Sequence, residues 1–504
     1  VAEDLQNTVL VSGRKGMSLL GAACIGKALR CFGRSRSWSV WPIVLLFISF
    51  TTSSVAAEPG KVRIFTSYPK PVYEPFQKAF EAQNPQWQLD VVRLKTEAGV
   101  KRIQKEAAKG ESADLFWASA KDAFEILESD GLLLTYRSPF MGKVDHVGKQ
   151  PIHDPEGVYT GVALAGYGMM WNRHFVHLHG LTPPQDWRDL THAKYYGFLG
   201  MATPANSGTT HLAVESILQN YGWEEGWHLL KQMAGNVRAF ADSSDKVPEG
   251  IITGQYGAGM VIDFFGLSNQ SMGLAVAFAY PGKPSLVPAS IGIIKNAPHA
   301  EGARLFIDFL LSMVGQRLLL KPELSRLPVD PAIYDEAPPG FPNPFKDSRL
   351  AETVPFDTDI SKNRYDLLNH LFQATLIDEL PSLQMAMTAI HQAEAALAQP
   401  RRITTSWFSV AIPFTQHACT GQAAQWLQQA RLQLKGMPLD EQQSKDPALS
   451  KLFKGSGNKE KGKTDSEWQQ QMRKWRQHSA ERSLKATELA QQVLSSCSNS
   501  TSAP

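Results

Sequence analysis

From residue 61 onward, short apolar runs alternate with amphipathic stretches. Residues 61–67 (KVRIFTS) are a β-rich run behind Pro59-Gly60. Val72, Phe76, Ala79 and Phe80 then recur at i, i+4, i+7 and i+8, the stripe of a helix over 72–83. Residues 89–94 read as a second strand, 97–109 as a charged amphipathic helix, 114–118 (DLFWA) as a third strand and 121–127 as the start of a further helix. This β-α-β-α-β-α order predicts a mostly parallel sheet with helices on both faces. The run 161–171 (GVALAGYGMMW) is apolar and Gly-rich without a helical period, which predicts one long strand. Its glycines suit either a crossing between lobes or tight packing.

A second α/β series follows: a strand at 198–202, helices at 208–221 and 224–233, and a strand within 256–263. Three prolines mark a loop at 281–288, ahead of a buried strand at 289–294 and an apolar helix at 300–314. The stretch 322–344 is proline-rich with little regular pattern, and 363–398 is helical in period. Beyond residue 400 the composition shifts to 14 glutamines and many Lys and Arg, with a Gly/Lys-rich segment at 454–463 expected to be flexible. Helices are expected on either side of it, at 423–434 and 466–494. No internal repeat is visible.

Composition narrows the function class. The 504 residues leave room for two or three domains, and 43% hydrophobic with 20% charged residues is ordinary for a soluble globular chain. The net charge of +3 hides an uneven distribution. Residues 1–57 carry 6 basic and 2 acidic side chains, 58–400 carry 30 against 38, and 401–504 carry 15 against 8. An acidic body argues against a nucleic-acid binder, which needs a basic face for phosphates. Arg30, Arg34 and Arg36 precede an apolar run at 40–50 and the small residues Val55-Ala56-Ala57, the layout of a cleaved secretory signal. The run is too short to span a bilayer. Export to a periplasm is the expectation, with a mature chain starting near Glu58. Cys24 and Cys31 would leave with the leader, while Cys419 and Cys497 would remain as a potential disulfide pair in an oxidising compartment.

In open parallel sheets, ligands gather beyond the carboxyl ends of strands. Thr66-Ser67-Tyr68 follows the first strand, Ser119 the third, and Asn206-Ser207-Gly208-Thr209-Thr210 the strand at 198–202. The last group also opens a helix, where free amides and the positive dipole end favour an anion. Ordinary N-capping by Asn206 or Ser207 would leave the same signature. Ser243-Ser244, between two helical segments, is either a fourth hydroxyl cluster or a plain turn. Asp263, at the end of GMVIDFF, either receives an ammonium or metal or caps a neighbouring helix. Catalytic motifs are weak. G-x-S-x-G, the P-loop, H-E-x-x-H and a Rossmann glycine pattern are all missing. No zinc spacing occurs, and His174, His177 and His179 share a polar segment without further ligands. No catalytic residue, metal or cofactor is assigned.

Taken together, the export signal, Thr66-Ser67-Tyr68, 114–119 (DLFWAS), 161–172, 181–190 (LTPPQDWRDL), 207–210 and 258–263 resemble bacterial periplasmic solute-binding proteins. The resemblance, over about residues 61–400, is to the group serving ferric iron, phosphonates, thiamine and phosphorylated small molecules. It implies an α/β, two-lobed type 2 periplasmic binding fold, here with a helical C-terminal extension. The expected units are a leader (1–57), lobe 1 (58–163 and 287–345), lobe 2 (164–286), closing helices (346–400) and a basic helical tail (401–504). It also implies a monomer that closes on a small anionic solute and presents it to an ABC permease or a membrane sensor kinase. Ferric-binding relatives carry two adjacent tyrosines where this chain has Phe264-Phe265, and Tyr195-Tyr196 does not match that place, which disfavours iron. Two other classes compete. A secreted hydrolase of phosphate esters would need His211, beside Thr210, as its base. A signalling protein could act through its tail alone.

Overall fold

The structure is a computed structural model describing residues 60–142, 144–351, 355–398, 421–454 and 466–499. The segment read as a secretory signal and Cys419 lie outside the described residues, whereas Cys497 is disulfide-bonded. The first α/β series is β1 (Gly60–Thr66), α1 (Lys70–Gln83), β2 (Trp87–Arg93), α2 (Thr96–Ala107), β3 (Leu115–Ala118) and α3 (Lys121–Ser129). β1 is central and parallel to both β2 and β3. In α1 the predicted stripe turns inward: Val72, Phe76 and Phe80 are buried; Pro71 sits in the first turn, where no intrahelical donor is lost, and Pro75 lies inside the helix and forfeits one. Two-residue strands β4 (Leu133–Leu134), β5 (His146–Val147) and β6 (Gln150–Pro151) lead to β7 (Thr160–Asn172).

β7 belongs to both halves of the sheet. Residues 160–166 pair antiparallel with β12 (Leu286–Ile294), and residues 167–172 pair with β10 (Ala258–Ile262) and β11 (Val276–Ala279). Nearly every β7 residue is buried, as a strand covered on both faces requires. A Cβ on Gly168 would sit 2.3 Å from the Ala279 carbonyl oxygen, so close packing sets this glycine at the crossing.

The second series contains α4 (Arg173–Leu178), β8 (Leu199–Ala202), α5 (Gly208–Tyr221), α6 (Trp223–Gly235), β9 (Val237–Ala241), α7 (Lys246–Ile252), then β10, α8 (Asp263–Ser271) and β11. The sheet runs β2-β1-β3-β12-β7-β10-β8-β9. β9 was missed by the periodicity, so Ser243-Ser244 follows a strand end rather than a helix. The predicted apolar helix divides into α9 (Ala300–Leu311) and α10 (Met313–Leu318), because the Ser312 hydroxyl caps a new helix by accepting from Gly315 N. α11 (Ser348–Ala351), α12 (Thr358–Asn363), α13 (Tyr365–Phe372) and α14 (Leu380–Ala398) complete the body.

The C-terminal extension comprises α15 (Gly421–Lys435), α16 (Glu441–Ser444), α17 (Pro447–Phe453) and α18 (Glu467–Asn499). Ion pairs join it to the body, Arg431 to Glu394 at 2.7 Å and Arg476 to Asp378 at 3.7 Å, but an apolar contact accompanies them. α15 and α18 pack on each other, on α14 and on α6 through Ala423, Leu427, Ala430, Leu434, Trp475, Ala490 and Val493, all buried. Polar anchors reinforce the contact. Trp223 Nε1 donates to Leu439 O at 2.9 Å, and Lys231 Nζ to Gly436 O at 2.7 Å. Burial pushes the Lys231 ammonium down to about 7.

Candidate functional site

A cavity of about 370 Å³ lies where the carboxyl ends of β1, β2, β3, β8 and β9 approach one another. Eight sequence-predicted residues line it: Ser67, Tyr68, Ser119, Asn206, Ser207, Thr209, Ser243 and Ser244. They come from both halves of the sheet, the first three beside β1 and β3 and the rest beside β8 and β9.

Four predicted residues do not line it. Thr66 is fully buried; its hydroxyl donates to Trp117 O at 2.7 Å and accepts from Tyr68 N at 3.1 Å, tying β1 to β3. Gly208 is wedged against the opposite half. A Cβ there would come within 2.8 Å of Ala120 Cβ and 3.0 Å of Thr96, so its smallness serves inter-lobe packing rather than contact with a solute. Thr210 is buried one turn into α5, its amide donating to Ser207 Oγ at 3.2 Å. Asp263 turns inward and accepts from Gly166 N and Phe264 N, each at 2.7 Å, and from Tyr280 OH at 2.9 Å. Burial raises its carboxyl to about 6. It therefore receives neither an ammonium nor a metal from the cavity.

Sequence reasoning missed Arg93, Lys95, Thr96, Asp245, Lys246, Phe264 and Phe265, all in the lining. Arg93 ends β2, and Lys95 and Thr96 follow it, so the strand-end rule applied to β2 would have found them. Arg93 reaches across the cavity mouth to Asp245, Nη2 to Oδ2 at 2.9 Å. Burial opposes the Asp245 carboxylate, but hydrogen bonds from Ser243 and Arg93 outweigh it and hold its pKa below the ordinary value. Lysine and arginine supply three lining cations, against one carboxylate.

The backbone adds a second source of positive potential. α1, α2, α3, α5 and α8 all begin at the cavity. Ser207 caps α5 and Asp263 Oδ1 takes the Phe264 amide of α8 at 2.7 Å, whereas Pro69, Lys95 and Ala120 leave α1, α2 and α3 uncapped. First-turn amides have no intrahelical acceptor, and a missing cap costs about 1 kcal/mol. The cavity thus combines hydroxyls, cations and helix N-termini. That set favours an anion.

His211 does not contribute a base to this cavity. It is fully buried, with Nδ1 2.8 Å from Asn369 Oδ1 and Nε2 3.3 Å from Asp122 Oδ2. Phe264 and Phe265 line the wall without a ligating atom, and the buried Tyr195 donates its hydroxyl to Thr182 O, away from the cavity. Among the described residues, no helix is long and apolar enough to cross a membrane.

A family model described as bacterial extracellular solute-binding protein matches residues 110–358. The phosphoglycerate transport regulatory protein PgtC of Salmonella typhimurium is 34% identical over 244 residues, 48% of this chain and 59% of that protein's own length. Among solved structures, the periplasmic binding protein AfuA of Actinobacillus pleuropneumoniae, with fructose-6-phosphate bound, aligns with a TM-score of 0.56. It is 21% identical, and the alignment covers 63% of this chain and 98% of AfuA. The periplasmic binding protein P5PA aligns with a TM-score of 0.55 at 22% identity, covering 63% of this chain and 99% of its own. Family match, relative and fold point the same way: residues 110–358 are similar to bacterial extracellular solute-binding proteins, and the chain has the two-lobed type 2 fold of periplasmic binding proteins with a helical C-terminal extension.

Proposed function

We propose that the protein closes on a small anionic solute, a phosphate ester or phosphonate, and presents it to an ABC importer or a membrane sensor kinase. One observation carries the reading: three uncapped helix N-termini open on a hydroxyl-lined cavity whose charged lining is three cations against one carboxylate. Arg93 is paired with Asp245 and Lys246 with Glu249, which leaves Lys95 without a carboxylate partner among the described residues, and a small anion matches that excess. The similar protein AfuA was solved with fructose-6-phosphate, and PgtC is named for phosphoglycerate transport regulation, which supports the same ligand class here.

The lobes (58–163 with 287–345, and 164–286) move about β7, and the solute's contacts to both favour the closed form. Charge-assisted hydrogen bonds contribute roughly 1.5–3 kcal/mol each. Three or four of them bridging the lobes supply micromolar affinity, about −8 kcal/mol, after the costs of association. The protein works in the periplasm after cleavage of its signal and needs no cofactor. A hydrolase reading loses its base, because His211, on α5, is fully buried and held by Asn369 and Asp122. Mass spectrometry of the small molecule that co-purifies from periplasmic extract tests the reading. A phosphorylated or phosphonate solute is expected; a neutral sugar or an amino acid in stoichiometric amount contradicts it.

A further inference from the structure

Arg326 is a cation behind the cavity wall that the strand-end pattern does not account for. It follows Ser325, a non-glycine residue held at φ +41° with its hydroxyl 3.1 Å from Ser271 Oγ and 3.0 Å from Pro322 O. Arg326 N donates to Leu319 O at 2.9 Å, and the next residue, Leu327, accepts from Leu164 N on β7 at 2.8 Å. The chain is thereby fixed against the strand shared by both lobes, and the Arg326 side chain is driven inward to 2% exposure.

Its guanidinium lies behind the cavity wall. It stacks over Tyr68 at 4.5 Å and over Phe264 at 4.9 Å, both of which line the cavity. Nη2 donates to Tyr68 OH at 3.0 Å. Among the described residues, no carboxylate oxygen is recorded within 4.0 Å of it, and Nε has no hydrogen-bond partner. A void of about 10 Å³ touches Arg326 and Trp117, room for at most a single water, which would satisfy a donor without supplying charge. Asp263 is the carboxylate whose field it feels, but that group is occupied by three neutral donors. Burying a guanidinium without a paired anion is costly, so a counter-charge brought to the far side of Tyr68 is strongly favoured.

We propose that Arg326 sets the charge specificity of the cavity: the solute's anionic group is the counter-ion that this buried guanidinium lacks, and Tyr68 links the two. The phenol oxygen accepts from Arg326, which leaves its own proton to donate to the solute. Arg326 is a positioning residue, acting through Tyr68 and through its field. The inference rests on the anionic-solute reading above and adds the determinant that selects for charge.

Calorimetric titration of the full chain with two probes, 3-phosphoglycerate and fructose 6-phosphate, tests it. Arg326→Gln is expected to weaken whichever ester the wild type binds by about 10- to 150-fold, while Arg326→Lys, which keeps the charge, stays within about fivefold. Tyr68→Phe removes the link and is expected to lose about 5- to 15-fold with the guanidinium still in place. It provides the readout should Arg326→Gln fail to fold. Melting of the unliganded variants separates a structural role from this one. Arg326→Gln that melts like the wild type and has lost affinity supports the proposal. Undiminished affinity in Arg326→Gln, equal loss in Arg326→Lys, or no effect of Tyr68→Phe overturns it and leaves the anion reading intact. A wild type that binds neither ester overturns both.

Discussion

Helix α5 settles its polar groups in opposite ways on its two faces. At the cavity, Ser207 and Thr209 stand beside the uncapped starts of α2 and α3, with Arg93 and Lys95 nearby and a single lining carboxylate. On the inner face, polar groups answer one another. Glu215 is paired with Arg364, Oε2 to Nε at 3.0 Å, both buried; Arg364 also donates to Ser444 at 3.2 Å, and His211 is held by Asn369 and Asp122. Asp122 Oδ1 alone of this group has no partner among the described residues. Away from the cavity, α4, α10, α12, α16 and α17 carry side-chain caps, although α6, α9 and α13 do not. The contrast separates roles. Polar groups that satisfy each other build the fold, and donors aimed at a cavity hold a place for an acceptor.

The comparison breaks first on the inner face. Glu215→Ala leaves Arg364 buried without its anion, and we expect a loss of about 3–5 kcal/mol in urea unfolding. A loss below ~1 kcal/mol would mean that the network is not structural. Burial raises the Asp122 carboxyl from 3.8 to about 6, with His211 opposing the rise. Between those values the folded state binds more protons than the unfolded chain. Stability from this group is therefore full below about pH 4 and declines as pH rises through about 6, by up to ~3 kcal/mol. Urea titrations at pH 4.5 and 6.5 should show Asp122→Asn gaining on the wild type at the higher pH; a constant difference would contradict this.

The cavity face should respond in affinity rather than in stability. Thr209→Ala is expected to weaken binding of a phosphate ester by about 10- to 150-fold, ~1.5–3 kcal/mol, with the melting temperature of the free protein nearly unchanged. Ser207→Ala should lose affinity and, because Ser207 caps α5, about 1 kcal/mol of stability as well. Equal stability losses in both variants without a change in affinity would reduce this face to capping.

Much of this was legible. Strand-end hydroxyls were found because β1, β3 and β8 are short apolar runs between periodic helices, and the ends of such strands face one side of the sheet. β9 escaped because VRAFA is only partly buried, so its alternation is weak beside the apolar α6. The wedge of Gly208 against Thr96 and the pairing of His211 with Asp122 join residues about 90 to 110 positions apart, which no local pattern encodes. How the basic tail packs was not legible either. Its apolar contacts are spaced sparsely along Gln-rich helices, and only the packing on α6 and α14 brings Leu427, Leu434, Trp475 and Val493 into one core. Asp263 shows the same limit, since its sequence position says nothing of the inward turn that Gly166 N and Tyr280 OH stabilise.

The central claim is that the cavity takes its solute by charge. Calorimetric titration of the wild-type protein with 3-phosphoglycerate and with glycerate, which differ by the phosphoryl group, tests it most directly. The account predicts micromolar binding of the ester, about −8 kcal/mol, and at least a hundredfold weaker binding of glycerate. Equal affinity for the two, or binding of glycerate alone, would contradict it.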